Sequence, residues 1–348
     1  MKTNKLIEII KEDADTIISG LKSRPANGSR VLITGASGLI GTYILAVLSK
    51  IRIRKSTKFK VIAVIHSPPT KILKSFIHKG DEIIRCDLSN YNSIKTLPKA
   101  NLIIHAAGYA QPGKFLINPL KTILINTMAT SELIQKLKKA GRFLFVSSSE
   151  VYSGLHNPPF TEDQIGTTHP QHIRSSYIEG KRCGEAICKA LSSTKNHINI
   201  GRLSLAYGPG TKKGDERVLN NFIEQAITKK RIDLLDTGSA KRTYCYVTDA
   251  VEMLLNIAMS GKNSVYNVGG KSHVSIKELA DIIGGYTKAK ISVPKHSKKL
   301  QGAPDEVYLS MRRYEKDFGK KKYVSFNKGL ERTIRWQQEF TKKYILEI

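Results

Sequence analysis

The stretch T-G-A-S-G-L-I-G, Thr34 to Gly41, follows the apolar run Val31–Thr34 and runs into a helical stretch, Leu39–Leu48. Its glycines fall at Gly35, Gly38 and Gly41. One supplies a tight turn, one lets backbone approach a pyrophosphate, and one permits close packing of the helix on the strand. The helix N-terminus then faces the anion. A bare strand-to-helix turn also uses glycine, but the strand before and the helix after favour a dinucleotide cradle. Gly35, Ser37, Gly38, Leu39, Ile40 and Gly41 are its candidate binding residues.

Outward from this turn the chain alternates short β-branched runs with helical stretches. Val31–Thr34, Val61–Ile65, Ile83–Ile84, Leu102–His105, Phe143–Ser147 and Ile198–Leu203 read as strands; Leu39–Leu48, Thr122–Ala140 and Tyr177–Leu191 read as helices. Alternation with near-continuous apolar strands predicts an α/β fold, a Rossmann-type doubly wound parallel sheet covered on both faces. Residues 4–22 carry Leu6, Ile7, Ile10, Ile17, Ile18 and Leu21 on a helical stripe. That segment reads as a leader helix, packed on the body or on a partner subunit, and Pro25, Asn27 and Gly28 end it. After about Gly208 the alternation weakens. Val218–Thr228 and Ile276–Gly284 read as helices before a polar, basic tail. The division expected is 1–27 for leader and linker, 28–203 for the dinucleotide half with a return segment near 243–270, and 204–348 for a smaller substrate half.

Dinucleotide sites commonly carry an acid at the end of the second strand, for a ribose hydroxyl. Here that strand ends Val64-Ile65-His66-Ser67, without one. NAD against NADP therefore stays open, since His66 and Ser67 tolerate a 2′-phosphate although no arginine is adjacent. Asp87, followed by Leu88, suits the adenine amino group, or else caps a helix.

The 348 residues, 40% hydrophobic and 25% charged, suit a soluble globular chain. No run approaches the ~20 apolar residues that span a bilayer. Glu8, Glu12, Asp13 and Asp15 interrupt any signal-peptide core. Cys86, Cys183, Cys188 and Cys245 form no C-x-x-C pair and no metal spacing with histidine, so reduced thiols in the cytoplasm and no metal are expected. The net charge of +28 raises the question of nucleic acid. The lysines are dispersed, however, and no arginine–aromatic stacking pitch is present, so a solvated basic surface with some attraction for acidic substrates is expected instead.

Two further stretches carry chemistry. S-S-S-E-V-Y-S-G, Ser147 to Gly154, follows the apolar run Phe143–Val146. Buried hydroxyls need partners and a buried carboxylate is costly, so this is either a turn or a catalytic shelf whose serines meet substrate and cofactor hydroxyls. Y-I-E-G-K places Tyr177 and Lys181 at i and i+4, one helical face. A phenol near pKa 10 is a poor base at neutral pH unless a nearby cation lowers it. Such a pair is common in a lysine-rich chain; its position downstream of the cradle and the shelf is what singles it out.

The cradle, the shelf and Tyr177/Lys181, in that order, resemble the extended short-chain dehydrogenase/reductase family, specifically its nucleotide-sugar epimerases, dehydratases and decarboxylases. The resemblance covers most of the chain after about Gly28. Further matching pieces are Ile104-His105-Ala106-Ala107-Gly108, Asn126 in the following helix, R-L-S-L-A-Y-G-P-G at Arg202–Gly210, R-T-Y-C-Y-V-T-D at Arg242–Asp249 and Tyr266-Asn267-Val268-Gly269-Gly270. The resemblance implies NAD, with NADP open, held also by Ala106, Ala107, Gly108, Asn126, Tyr177 and Lys181. It implies that Tyr177 takes a proton from a sugar hydroxyl. Lys181 would lower the Tyr177 pKa and hold the nicotinamide ribose. Ser148 would hydrogen-bond the hydroxyl being oxidised, and Arg242 would clamp the nucleotide diphosphate.

The positions of Ser149 and Glu150 are an Asp–Glu acid and base pair in the 4,6-dehydratases. Ser149 is no carboxylic acid, which argues against dehydration and leaves Ser149 as a substrate contact and Glu150 as base. S-x-E-V-Y and Y-x-E-G-K-R are more similar to UDP-glucuronate decarboxylases or related epimerases, as are Pro304-Asp305 and the Gly329-Leu330 to Trp336 tail. Three departures stand: the missing second-strand acid, Ser204 or Leu205 where the family has a substrate-binding asparagine, and a leader helix longer than is typical of the family.

The implied reaction is oxidation at the sugar C4 to a transient ketone, then decarboxylation or epimerisation, then return of the hydride. Alternatives are an NADP-dependent carbonyl reductase, a 4,6-dehydratase, a dinucleotide-sensing regulatory protein and, on charge alone, a nucleic-acid binder. The partners expected are a nucleotide sugar and a second copy of the chain, without nucleic acid or membrane.

Overall fold

The computed structural model describes residues 2–55, 57–192, 196–294 and 306–345. Seven strands form one parallel sheet: β1 Arg30–Thr34, β2 Lys60–Ile65, β3 Glu82–Arg85, β4 Ala100–His105, β5 Leu137–Ser148, β6 His197–Leu203 and β7 Val265–Val268. Their spatial order, β3-β2-β1-β4-β5-β6-β7, reverses between β1 and β4. In such sheets the crevice outside the strand C-termini at the reversal is where ligands bind. The strands are apolar throughout because helices cover both faces: Val31, Ile33, Ala63 and Ile104 face one core, Leu32, Ile62, Ile103 and Phe143 the other.

The helices are α1 Lys2–Gly20, α2 Leu39–Lys55, α3 Pro112–Ile117, α4 Pro119–Asn126, α5 Met128–Gln135, α6 Ser175–Ala190, α7 Val218–Lys229, α8 Val247–Ser260, α9 Ile276–Thr287, α10 Arg312–Phe318 and α11 Phe326–Ile345, besides two single-turn pieces. Three short ladders lie beyond the main sheet. Leu205–Tyr207 pairs with Tyr244–Tyr246, Lys241–Arg242 lies between Val274–Ser275 and Glu306–Val307, and Arg231–Asp233 pairs with Lys290–Ser292.

The leader helix packs on the body. Ile7, Ile10, Ala14 and Ile17 are buried against α2 and α8, and its end is tied by Asn256, which accepts from the Lys22 amide (2.8 Å) and donates to the Gly20 carbonyl (3.1 Å). Asp13, also buried, accepts from the phenols of Tyr43 (2.8 Å) and Tyr246 (3.2 Å) and from Arg332 (2.9 Å), so α1, α2 and α11 meet at one carboxylate.

Two expectations need correction. The helix expected over Thr122–Ala140 is α4 and α5, broken at Thr127, and β5 already begins at Leu137. Ala140 is left-handed (φ 58°) and the β4–β5 register shifts between Ala100 and Leu102, so Lys138 and Lys139 belong to an irregular strand entry. The polar, basic tail instead folds as α10 and α11. Leu330, Ile334 and Trp336 point inward, Arg332 reaches Asp13, and Arg335 stays exposed, so an amphipathic helix carries the basic composition.

Candidate active site

Two glycines of the Thr34–Gly41 turn are there of necessity. A Cβ on Gly35, which has φ +67°, would sit 2.6 Å from the Ala106 carbonyl oxygen. One on Gly41 would sit 2.3 Å from the Gly35 carbonyl oxygen and 2.6 Å from the Ala36 Cα. The first turn of α2 carries no acid, which leaves the positive end of its dipole for an anion. Beneath the turn lies a neutral relay. The Ala107 amide donates to the Thr34 hydroxyl (3.3 Å), Thr34 meets His105 Nδ1 (2.7 Å), and His105 Nε2 meets the Ile125 carbonyl (3.0 Å). Burial, then the nearby Lys181 charge, push His105 down to about 3. The ring is therefore neutral, donates from Nε2 and accepts at Nδ1. These features fit the backbone and pyrophosphate of a dinucleotide.

At the other end of that crevice His66 and Ser67 are exposed beside the tip of β2. Asp87 is half-buried. Its carboxylate accepts from the Ser89 hydroxyl (2.6 Å) and amide (2.9 Å), which hold it below the usual range, with Lys121 at 3.7 Å. Asp87 is not a helix cap: Asn90 caps the following turn, accepting from the Ser93 amide.

The shelf forms where β5 ends. Ser148 opens a 3₁₀ turn, Ser149–Tyr152, by accepting from the Glu150 amide (3.2 Å). Ser147 donates to Glu185 (2.6 Å). The shelf serines expected to depend on ligand hydroxyls thus have protein partners at Ser147 and Ser148. Glu185 also receives Arg202 (2.8 Å), a buried guanidinium that reaches the Tyr152 hydroxyl (2.9 Å) and the carbonyls of Glu162 (3.1 Å) and Gln164 (3.0 Å). Ser149 lines the cavity, and the Glu150 carboxylate is held by Arg174 (2.6 and 3.2 Å).

Tyr177 lies in the first turn of α6, buried, its phenol facing Ser148 across the cavity wall and its ring stacked on Phe115 with ring centroids 4.9 Å apart. Lys181 is one turn on. Its ammonium donates to the Val146 carbonyl (2.7 Å) and lies 4.7 Å over the Phe145 ring and 5.9 Å from the Tyr177 ring. The expected direction of the tyrosine shift is reversed. Burial raises the phenol above its ordinary 10, the Ser148 hydrogen bond works against that, and the cations that lower it are Arg174 and Arg217. Lys181 instead is pushed by burial to about 7, against the pull of Glu185.

A single cavity of about 1030 Å³ runs from the cradle past Ser148 and Tyr177 to Arg242 and Val307. Pockets for one small ligand run ~300–1,000 Å³, so two ligands end to end fit here. The structure brings to this cavity Gly35, Ser37, Gly38, Leu39, Ile40, Gly41, His66, Asp87, Leu88, Ala106, Ala107, Gly108, Ser148, Ser149, Glu150, Tyr177, Lys181 and Arg242. Asn126 is not on its wall. It is buried beneath α6, its amide donating to the Thr122 carbonyl (2.8 Å) and its Oδ1 without a partner. Pro304-Asp305 lies outside the described residues. Sequence reasoning passed over Phe115, Arg174, Lys212 and Arg217, which line the same wall. Only Arg174, three residues before Tyr177, offered a positional signal. Among the described residues no helix is long and apolar enough to cross a membrane.

A family model described as the NAD dependent epimerase/dehydratase family matches residues 31–269. UDP-glucuronic acid decarboxylase 6 of Arabidopsis thaliana is 30% identical over 284 residues, covering 80% of this chain and 78% of the relative. UDP-glucuronic acid decarboxylase 1 of Danio rerio is 28% identical over 313 residues, covering 88% and 72%. A solved UDP-glucose 4-epimerase of Thermotoga maritima, with UDP-glucose, superposes with a TM-score of 0.75 at 21% identity over 90% of this chain and 99% of that one. At that identity the superposition speaks for the fold.

Proposed function

The chain belongs to the NAD-dependent epimerase/dehydratase family, whose enzymes act on nucleotide sugars, and we propose that it oxidises such a sugar at C4 and removes a carboxylate from the resulting ketone. The observation that carries this reading is that Ser148, Tyr177 and Lys181 line one cavity with the glycine cradle. NAD would be held by the Gly35–Gly41 turn, by Asp87 at the adenine and by Lys181 at the nicotinamide ribose. Bound there, it takes up a hydride and later returns it, so the cycle is redox-neutral.

Ser148 donates to the sugar C4 hydroxyl and Tyr177 accepts its proton, which requires the tyrosinate that burial and then the Glu150 charge disfavour. Arg174 and Arg217, whose charges lower the phenol, supply the opposing charge. A 4-ketone makes a C5 carboxylate the acid of a β-keto acid. The C5–C6 bond breaks, carbon dioxide leaves, and the electron pair moves onto the C4 oxygen as an enolate before C5 is reprotonated. Water supplies that proton, and Glu150, a carboxylate held by Arg174 on the same cavity wall, would orient it. Ser149, a hydroxyl, offers no acid for expelling water, which disfavours the 4,6-dehydratase outcome. The curated decarboxylase relatives favour loss of carbon dioxide over epimerisation, the second reading.

Incubation with UDP-, dTDP-, GDP- and CDP-sugars, read by product mass, tests it. A loss of 44 Da (the mass of carbon dioxide) without net cofactor consumption is expected. An unchanged mass would mean epimerisation, and net consumption of reduced cofactor would mean a reductase. Turnover near wild type in Tyr177→Phe would end the mechanism in either form.

The same reading includes a homodimer. Leu116, Ile117, Leu120 and Ile123 on α3 and α4 stay exposed, Ile117 by 77% and Leu120 by 66%, beside the helix that bears Tyr177. Sedimentation of Leu120→Glu as a monomer, with wild type at twice that mass, is the expected result. A cytoplasmic location goes with it, supported by cysteines that are all free.

A further inference from the structure

Behind the cavity a buried carboxylate joins the cradle helix to the rest of the wall. Asp13 of α1 accepts at one oxygen from the phenols of Tyr43 (2.8 Å) and Tyr246 (3.2 Å), and at the other from Arg332 (2.9 Å). Tyr43 stands on α2, one turn beyond Leu39, which lines the cavity at the glycine cradle. Tyr246 ends the short strand begun by Tyr244, which lines the cavity two residues after Arg242. Arg332 belongs to α11, and that helix grips the cavity wall twice more. Gln337 donates to the Asn220 side chain (3.1 Å), and the Phe326 carbonyl accepts from the Tyr207 phenol (3.2 Å). Asn220 and Tyr207 both line the cavity. The seam is close. A Cβ on Gly210, which has φ +95°, would lie 3.4 Å from Leu39, 3.5 Å from Tyr43 and 3.8 Å from Ile10 of α1. Both α1 and α11 lie outside residues 31–269, the span of the family match.

A buried carboxylate is a costly way to seat a helix, and the apolar stripe Ile7, Ile10, Ala14 and Ile17 already packs α1 in place. What Asp13 adds is direction, because its two oxygens receive donors from three separate elements. Hydride transfer depends on such placement: the reacting atoms must stand ~3–3.5 Å apart, and a displacement of ~1 Å costs ~100-fold. We propose that α1 and α11 form a clasp that sets the distance between cofactor and sugar, with Asp13 as its positioning residue. Asp13 is not on the cavity wall. It acts through Tyr43 on the cradle and through Tyr246 and Arg332 on the remainder of the wall. This rests on the reading of the cavity as a site for NAD and a nucleotide sugar. It adds to that reading two helices that the family match does not reach.

The test separates binding from the hydride step in purified protein well below its melting temperature. Wild type is compared with Asp13→Asn, Gln337→Ala and the double variant; Tyr43→Phe, which removes one donor only, serves should Asp13→Asn fail to fold. Calorimetry gives the affinities for NAD and for UDP, and counts the NAD sites. Turnover of UDP-glucuronate carrying hydrogen or deuterium at the sugar C4 gives kcat per NAD site, KM and the isotope effect. Both affinities and KM should stay within roughly twofold of wild type, while kcat per site falls roughly tenfold in Asp13→Asn. Deuterium should slow each variant at least as much as wild type, since hydride transfer becomes the slow step. Tyr43→Phe and Gln337→Ala should show the same signature at smaller size. The double variant should be no worse than the worse single, because both act through one clasp. An unchanged kcat per site in Asp13→Asn would overturn the proposal. So would a diminished isotope effect, or losses that multiply in the double variant. NAD affinity falling as far as kcat would overturn it too, since α1 would then serve the cofactor alone. A wild type that releases no product from UDP-glucuronate would overturn the underlying reading and the proposal with it, and shows before any variant is compared.

Discussion

Replacing Lys181 with Met should make the protein more stable while it ends turnover. Burial pushes the Lys181 ammonium from its ordinary 10.5 to about 7. At ~1.4 kcal/mol per pH unit, keeping it charged in the fold costs ~5 kcal/mol at pH 6. The substitution gives back the hydrogen bond to the Val146 carbonyl, a loss of ~1–3 kcal/mol for an orphaned buried acceptor. The net gain at pH 6 is ~2–4 kcal/mol. With 348 residues at ~2.1 cal/mol/K each, this raises the melting temperature by ~3–6 °C. The sign of the pH dependence follows from a depressed base. The cost is fully present below the folded pKa and fades between about 7 and 10.5, because only the unfolded chain still binds the proton there. The gap between variant and wild type should therefore close toward zero by about pH 9. Thermal melts at pH 6, 7.5 and 9 measure it. A variant less stable than wild type at pH 6, or a gap that ignores pH, would refute the assignment of Lys181 as a buried, strained charge.

Other outcomes follow from the same physics. Gly41→Ala should lose at least ~100-fold in NAD affinity, because its methyl meets backbone that cannot yield, whereas Gly285→Ala on α9, with open space around it, should gain ~0.5–1 kcal/mol; equilibrium dialysis and melting decide both. His105, at about 3 in the fold against 6.5 when free, contributes stability that is lost as the pH falls from 6.5 toward 3. One histidine Cε1 resonance should thus fail to titrate between pH 5 and 8, and its titration near 6.5 would contradict the neutral relay. Asp13→Ala removes the acceptor shared by Tyr43, Tyr246 and Arg332, a loss of ~3 kcal/mol in urea unfolding; a change below ~0.5 kcal/mol would mean that the leader helix is held by its apolar face alone.

Much of the fold was legible because apolar strands and glycine turns act locally. Val31–Thr34 and Val61–Ile65 are buried on both sides, so their composition alone declares them, and Gly35 and Gly41 answer to contacts within a few residues. What escaped was set by distant partners. Lys138 and Lys139 look helical until Ala100 and Leu102 fix the ladder beside them. The basic residues of α11 hide a stripe, Leu330, Ile334 and Trp336, whose purpose depends on α1 and α9. In the site, Tyr177 and Lys181 were visible through spacing, and Ser148 only through the family resemblance. Arg174 and Arg217 were not, because nothing in a sequence says which guanidinium will close on which carboxylate. The direction of the Tyr177 shift was also out of reach, since burial outweighs its charged neighbours and burial is a property of the whole cavity.

Arg202 makes the shelf, the Tyr177 helix and the loop before it one mechanical unit. That one guanidinium stands at the end of β6 and fastens Glu185 of α6, the Tyr152 hydroxyl behind the shelf, and two carbonyls of the loop that leads to Arg174. The loop is held elsewhere as well, by Asn267 at Phe160 and Glu162 and by Arg313 at Asp163, so Arg202 is the point where it is joined to the shelf and to α6. Of that loop only Arg174 lines the cavity. Loss of that joint would collapse recognition and chemistry together.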